Sequence, residues 1–292
     1  MLLAAVIFLS PLYPATISAD LGRAVHAWFL GQVQRADPAL AERLHEPNRP
    51  RPFTVSSLRG VGLAPDGKIA LTPERNYWLR VTSMEATLSH CLLEQVLPAL
   101  PSEIELAGVT FKLKGATCDQ AEHPWAGQTT YEALIKEGLL RTGKVEPWLT
   151  LQFVSPTTFR RTGVNSSLTD SEGKAYKVAW HNVPLPLPGL VFDSYLQRWN
   201  AFAPVAFPLE VKRYAEECVA ISRYRLQTVL VEFGEVREVG FVGTCRFTAL
   251  VADPYWLRLL HLLAAFAFYS GTGHHTARGM GQTRELALVK EE

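Results

Sequence analysis

The segment whose residue types most readily bind an anion lies near the C-terminus, from Ser270 to Gln282. Two Gly-x-Gly pairs, Gly271 with Gly273 and Gly279 with Gly281, fall within eleven residues and enclose His274, His275 and Arg278. Ordered glycine loses more conformational entropy than any other residue, so such clustering marks backbone bent tightly or pressed against a partner. A donor-rich strip carrying one arginine and two histidines could hold a polyanion through its amides and its guanidinium. A helix C-cap followed by a long turn is the alternative. Nucleotide-binding loops follow a strand and open a helix. Here an apolar helix enters the glycines and a strand leaves them, which presents the wrong end of the helix dipole to a phosphate. The spacing also fits neither the phosphate loop nor the dinucleotide fingerprint.

A second concentration of chemistry lies around His45. Asp37 and Pro38 read as a cap and first-turn proline opening a short helix through Ala41, Leu44 and His45. Pro47 then forces Glu46 out of helical geometry. His45 thus occupies a last turn, where exposed carbonyls favour an imidazolium. Arg49 and Arg51 follow, and the window from Arg43 to Arg59 holds four arginines against one glutamate. A surface histidine closing a helix end is the other reading of His45. His26 sits at the edge of the preceding helix's apolar stripe, where a proton-transfer role competes with a core-edge histidine bonded to backbone. His261, inside an apolar helix, reads as a satisfied core residue.

The elements that must position these groups follow from periodicity. Leu2 to Leu9 reads as a buried first strand, because it is too short for a membrane span and lacks a signal peptide's charged start. Ser18 or Asp20 can cap a helix with Leu21, Val25, Trp28 and Phe29 on one face. Strands are predicted at 53–58 and 77–82, a helix at 84–97 and a strand at 103–114. In the second half a strand at 149–154 precedes a polar stretch at 155–170, which contains Arg160 and Arg161. A stiff extended connector at 183–188 leads to a helix with Phe192, Leu196 and Trp199. Strands at 225–233 and 238–251, a helix opened by Asp253-Pro254, and a strand at 284–289 complete the chain. Each half reads strand, helix, strand, strand, helix, strand. Two tandem ferredoxin-like (βαββαβ) domains, an α+β fold, is the economical reading, with domains at 1–145 and 146–292.

Composition constrains less. The 292 residues are 48% hydrophobic and 20% charged with a net charge of +1, so any anion site must be a local patch. The four cysteines have no Cys-x-x-Cys spacing and sit in or beside apolar runs, as buried thiols in a reducing cytoplasm would. Adjacent His274 and His275 cannot place both rings on one ion without contortion, and no paired cysteine ligands exist. No metal and no cofactor is expected.

Four stretches resemble the CRISPR-associated precursor-RNA processing endoribonucleases of the repeat-associated mysterious protein superfamily. They are Asp37 to Glu46 running on to Pro52-Phe53-Thr54-Val55-Ser56, then Ser155-Pro156-Thr157-Thr158-Phe159-Arg160, then Gly240-Phe241-Val242-Gly243-Thr244, and the glycine segment. They occur in the family's order, and the family's fold is the tandem pair already reached from periodicity. The resemblance implies cleavage of CRISPR repeat RNA without metal. The 2′-hydroxyl attacks the adjacent phosphate, leaving a 2′,3′-cyclic phosphate and a 5′-hydroxyl. That reaction needs a base, an acid and a cation for the phosphorane.

By position, the resemblance implies His45 as the catalytic histidine and Arg51 where the family often has a catalytic lysine. Some members carry a partner tyrosine where this chain has Leu30, which cannot transfer a proton, and His26 one turn earlier is the candidate replacement. Arg49, Arg160, Arg161, Gly271, Gly273, His274, His275, Arg278, Gly279 and Gly281 are the expected RNA contacts. Repeat RNA or its crRNA product is the implied partner, and other effector-complex subunits or a second copy of the chain are compatible with it. No membrane partner is expected. Two other classes stay open: a non-catalytic crRNA-binding subunit, which Leu30 keeps open, and a nucleotide-sensing protein using the glycine segment.

Overall fold

The structure is a computed structural model describing the chain apart from residues 47–49, 62–66, 141, 164, 170, 178–179, 234–235 and 287–292. The first half runs β1 (Leu2–Pro11), β2 (Ala15–Ser18), α1 (Gly22–Ala36), α2 (Pro38–His45), β3 (Phe53–Val55), β4 (Lys68–Leu71) and β5 (Tyr77–Ser83). It continues with α3 (Ala86–Cys91), a π-turn at Leu92–Val96, β6 (Glu103–Leu106), β7 (Val109–Thr117), β8 (Gly127–Thr129) and α4 (Tyr131–Gly138). The first sheet has the order β3-β5-β1-β7-β6, with β8 pairing the start of β1, and β2 pairs β4 separately. Its central strand explains the apolar N-terminus. Leu3, Ile7 and Leu9 enter the core beneath α1, while Leu2 and Ala4 on the opposite face join the core of the second half. A strand buried on both faces has no polar alternation.

The second half runs β9 (Trp148–Thr157), β10 (Phe159–Thr162), β11 (Asn165–Thr169), β12 (Ala175–Lys177), β13 (Trp180–Val183), α5 (Pro188–Phe202), α6 (Glu210–Cys218), β14 (Val219–Phe233), β15 (Val236–Ala249), α7 (Pro254–Ser270), a 3₁₀ turn (Thr276–Arg278) and β16 (Thr283–Glu285). Its sheet order, β14-β15-β9-β16, matches β3-β5-β1-β7, and every pairing is antiparallel. The chain is a tandem pair of ferredoxin-like units, as periodicity predicted. No helix among the described residues is long and apolar enough to cross a membrane.

Several local expectations are corrected. The strand expected at 103–114 is a hairpin, because Ala107 and Gly108 both take positive φ (50° and 78°), the backbone twist of a two-residue turn. Neither Ser18 nor Asp20 is the N-cap of α1, which is Leu21 without a side-chain cap. Instead Ser57 Oγ accepts from Leu21 N at 3.0 Å and donates to the Ala19 carbonyl at 2.8 Å, a tertiary contact no local pattern contains. The polar stretch after β9 forms two ribbons, β10 with β13 and β11 with β12. Helix α6 was missed, because five of its nine residues are charged and no side chain caps it. The final strand is Thr283–Glu285, and positions 287–289 of the expected strand lie outside the described residues.

The two units are tied together by a buried guanidinium. Arg80, on β5, is 1% exposed. It donates from Nε to the Trp125 carbonyl (2.7 Å), from Nη1 to Gln282 Oε1 (2.7 Å) and from Nη2 to the Phe268 carbonyl (2.6 Å). Burial lowers its pKa to about 9. Thr82 Oγ1 donates to the Tyr269 carbonyl at 2.6 Å, and Gln282 Nε2 donates to Thr54 Oγ1 at 3.2 Å. These bonds fix the end of α7 and the exit of the glycine segment against the first sheet.

Candidate active site

The glycine segment is a folded clasp. Helix α7 starts as predicted, with Asp253 Oδ1 accepting from Tyr255 N (2.9 Å) and Trp256 N (3.2 Å). It ends at Gly271, and the segment closes on itself where Thr272 N donates to the Gly281 carbonyl at 2.8 Å. Gly281 has φ +70°, and a Cβ there would lie 2.1 Å from the Thr272 carbonyl oxygen. At Gly279, φ is +94° and a Cβ would lie 2.9 Å from the Gly22 Cα at the start of α1. Gly271, Gly279 and Gly281 are buried, and each packs too closely against its neighbours to carry a Cβ freely. They let the segment press against α1 and β9, which places their neighbours. Gly273 is half-buried beside Thr158, whose carbonyl accepts from His274 N at 2.8 Å.

The clasp forms one wall of a cleft of about 780 Å³, lined among others by His26, Arg51, Arg160, Arg198, His274 and Arg278. His26 points from α1 to the Ala277 carbonyl, with Nδ1 2.7 Å from the oxygen, and its ring stacks near Phe53. A carbonyl only accepts, so Nδ1 carries the hydrogen and the neutral ring presents Nε2 as an acceptor. Burial holds the His26 pKa below its ordinary 6.5, and the charges of Arg278, Arg51 and His45 push it the same way. His26 thus feels His45, Arg51 and Arg278, and Arg51 feels Arg278.

His45 closes α2 as expected, and its Nδ1 donates to the Ala41 carbonyl one turn back at 2.7 Å. Its ring is exposed. Arg51 Nη2 reaches the His45 carbonyl at 3.4 Å, and burial, then the Arg278 charge, lowers the Arg51 pKa. Two guanidiniums that repel each other beside two imidazoles make a site that an anion would relieve. Arg49 lies outside the described residues. Leu30, where a tyrosine was sought, is 5% exposed in the first core.

Arg160 and Arg161 are separated by strand alternation. Arg160 lines the cleft, its guanidinium 4.0 Å from the Trp180 ring centroid and 3.7 Å from Glu238 Oε1. Arg161 is exposed and is not among the cleft-lining residues. Arg198 was missed by the sequence reading. On α5, its Nη2 donates to the Gly273 carbonyl at 2.6 Å and its Nη1 to the Ser194 carbonyl at 3.1 Å, and burial lowers its pKa to about 10. Its only sequence cue was a cation inside an apolar stripe between Leu196 and Trp199. His261 is satisfied as predicted, with Glu285 Oε1 at 3.1 Å and the Glu146 carbonyl at 3.0 Å.

The histidine pair faces the cleft with ring centroids 3.8 Å apart. Burial, then His275 and Arg160, holds the His274 pKa at about 4. Burial, then Arg278 and Arg160, holds His275 at about 4 as well, and its Nε2 lies 3.3 Å from Glu238 Oε1. From pH 6.5 down to about 4 the unfolded chain therefore binds protons that the folded chain refuses. The pair's contribution to stability is intact above that window and is lost as pH falls through it. Exchanging both for asparagine is expected to flatten the drop in Tm across that range, and equal slopes for parent and variant would refute the depressed values.

Two family models match: the CRISPR Cas6 N-terminal domain over residues 1–136 and the CRISPR-associated endoribonuclease Cas6 over residues 151–283. A Cas6 product complex superposes with TM-score 0.77 at 25% identity, covering 98% of this chain and 100% of that one. Thermus thermophilus Cas6 superposes with TM-score 0.69 at 25% identity, covering 98% of each chain. The CRISPR-associated endoribonuclease Cas6 of Mycobacterium tuberculosis is 28% identical over 144 residues, 49% of this chain and 40% of that relative, so the match spans less than half of the curated protein. With both halves matched in order and the fold superposing along the full length, the chain belongs to the CRISPR-associated Cas6 family.

Proposed function

We propose that the protein is an endoribonuclease that cuts CRISPR repeat RNA in the precursor transcript. Residues 1–145 supply the histidines and Arg51, and residues 146–292 supply the clasp with Arg278. The observation that carries the reading is that His26, Arg51 and Arg278 line the cleft with His45 beside them, its carbonyl 3.4 Å from Arg51 Nη2 and its charge acting on His26, so that two rings capable of proton transfer lie near two cations. A ribose 2′-hydroxyl attacking the adjacent phosphate must lose a proton, and the departing 5′-oxygen must gain one. His45, exposed and tethered through Nδ1, presents Nε2 as base when neutral and as acid when protonated. His26, kept neutral by burial, is the candidate base when His45 acts as acid. Arg51 and Arg278 would stabilise the charge that accumulates on the phosphorane oxygens.

Incubating the protein with repeat RNA in EDTA tests this reading. The expected result is cleavage at one position, giving a 2′,3′-cyclic phosphate and a 5′-hydroxyl. Tight binding without cleavage would reassign the protein to the RNA-holding subunits. Arg278, exposed at the mouth of the cleft, makes a second expectation. Its replacement by alanine should weaken binding and reduce the slope of log K against log salt by about one, as loss of one phosphate contact does. An unchanged slope would turn Arg278 away from the RNA.

A further inference from the structure

Beneath the Arg160 wall of the cleft lies a concentration of buried polar atoms that the reaction above does not use. Among the described residues, six buried side-chain atoms have no hydrogen-bond partner, and four of them belong to Thr158, Asn182, Glu238 and His274. These four residues converge. Asn182 pairs with Arg160 across the β10–β13 ribbon, and Thr158 immediately precedes β10. The Thr158 carbonyl accepts from His274 N at 2.8 Å. Glu238 Oε1 lies 3.3 Å from His275 Nε2 and 3.7 Å from Arg160 Nη2, while Oε2 has no partner. Thr158 is 0% exposed and Glu238 2%. Native interiors leave few buried polar atoms unpaired, so four in one place ask for a ligand.

The chemistry of that ligand follows from the atoms. Glu238 Oε2 and Asn182 Oδ1 accept, Thr158 Oγ1 can accept, and a neutral His274 can present Nε2 as a further acceptor. An acceptor-rich site calls for a donor-rich group. Of the four RNA bases, guanine has the most N–H groups on its Watson–Crick edge, from N1 and the 2-amino group. Above the cluster, Trp180 is 44% exposed and carries the Arg160 guanidinium on its face. Aromatic and guanidinium planes are the surfaces on which unstacked RNA bases rest. Arg160 itself is the movable cover. Its side chain is 39% exposed and meets Glu238 at 3.7 Å, longer than a hydrogen bond.

We propose that Thr158, Asn182, Glu238 and His274 form a guanine-reading subsite, entered when the Arg160 side chain swings aside and stacked against Trp180. The proposal rests on the RNA-binding reading of the cleft and adds a base preference to it. Glu238 is expected to take the N1–H and amino hydrogens, the pairing a carboxylate makes with a donor edge.

The test uses a pool of single-stranded RNA oligonucleotides of random sequence, bound to the full chain and sequenced from the retained fraction. Enrichment of guanine by about tenfold at one position is expected for the parent. Both Glu238→Gln and Asn182→Ala should lose that enrichment, with the Tm of each variant checked alongside. Having two variants on different strands guards against one that fails to fold. Inosine, which lacks the 2-amino group, should compete less well than guanosine at the enriched position. Retention of RNA with no guanine preference, or equal preference in parent and folded variants, would overturn the subsite and leave the nuclease reading standing. Failure to retain any RNA would overturn both.

Discussion

Alanine at position 45 is expected to lower single-turnover cleavage of repeat RNA by about 10²-fold or more, the usual loss on removing a general acid or base. RNA affinity should change little. The side chain is exposed, and among the described residues its hydrogen bond is to the Ala41 carbonyl of its own helix, so its removal opens no cavity and leaves no buried charge. Loss of rate with unaltered binding is the signature of an interaction used in the transition state rather than the ground state. Cleavage at the parental rate would take His45 out of the site. The neighbouring groups sharpen the expectation: with His45 gone, His26 remains beside Arg51 and Arg278, but one of the two proton transfers has no agent.

The second large effect is structural. Arg80→Met is expected to destabilise the chain by about 3–5 kcal/mol, because three buried neutral acceptors lose their donor at about 1–3 kcal/mol each. At about 2–4 °C per kcal/mol for a chain somewhat smaller than this one, Tm should fall by roughly 10 °C. The guanidinium holds three acceptors at once, the Trp125 and Phe268 carbonyls and Gln282 Oε1, and each would be left buried without its donor. Phe268 and Trp125 also lose a cation over their rings, 4.3 and 5.3 Å from the centroids. Lysine should not rescue the loss, because a single ammonium cannot reproduce the planar fork. A Tm within a degree or two of the parent would show that the units hold together without this contact. Because Gln282 ends the clasp, the variant should also bind RNA less tightly at temperatures where it remains folded.

Much of the fold was legible in the chain because its signals are local. Continuous apolarity in β1, the Asp37-Pro38 and Asp253-Pro254 starts, and the position of His45 in a last turn depend on residues within a few positions of one another. Where the reading failed, the deciding contact was distant. The start of α1 is bonded by Ser57, Gly279 packs against the Gly22 Cα of α1, and Gly281 N donates to the Pro156 carbonyl of β9. The hairpin within 103–114 turns on two positive-φ residues whose Ala-Gly sequence is a weak turn signal.

By itself the sequence determined the two-unit architecture, the helix starts at Asp37-Pro38 and Asp253-Pro254, and the family, because periodicity, caps and motif order are properties of neighbouring residues. Only the tertiary structure decided which cations share a surface. Alternation along β10 sent Arg160 inward and Arg161 outward, α5 carried Arg198 to the Gly273 carbonyl, and α1 brought His26 to Ala277, 251 positions away. Burial and like charge then set the proton affinities of His26, His274 and His275, and neither exists until the chain has closed around them.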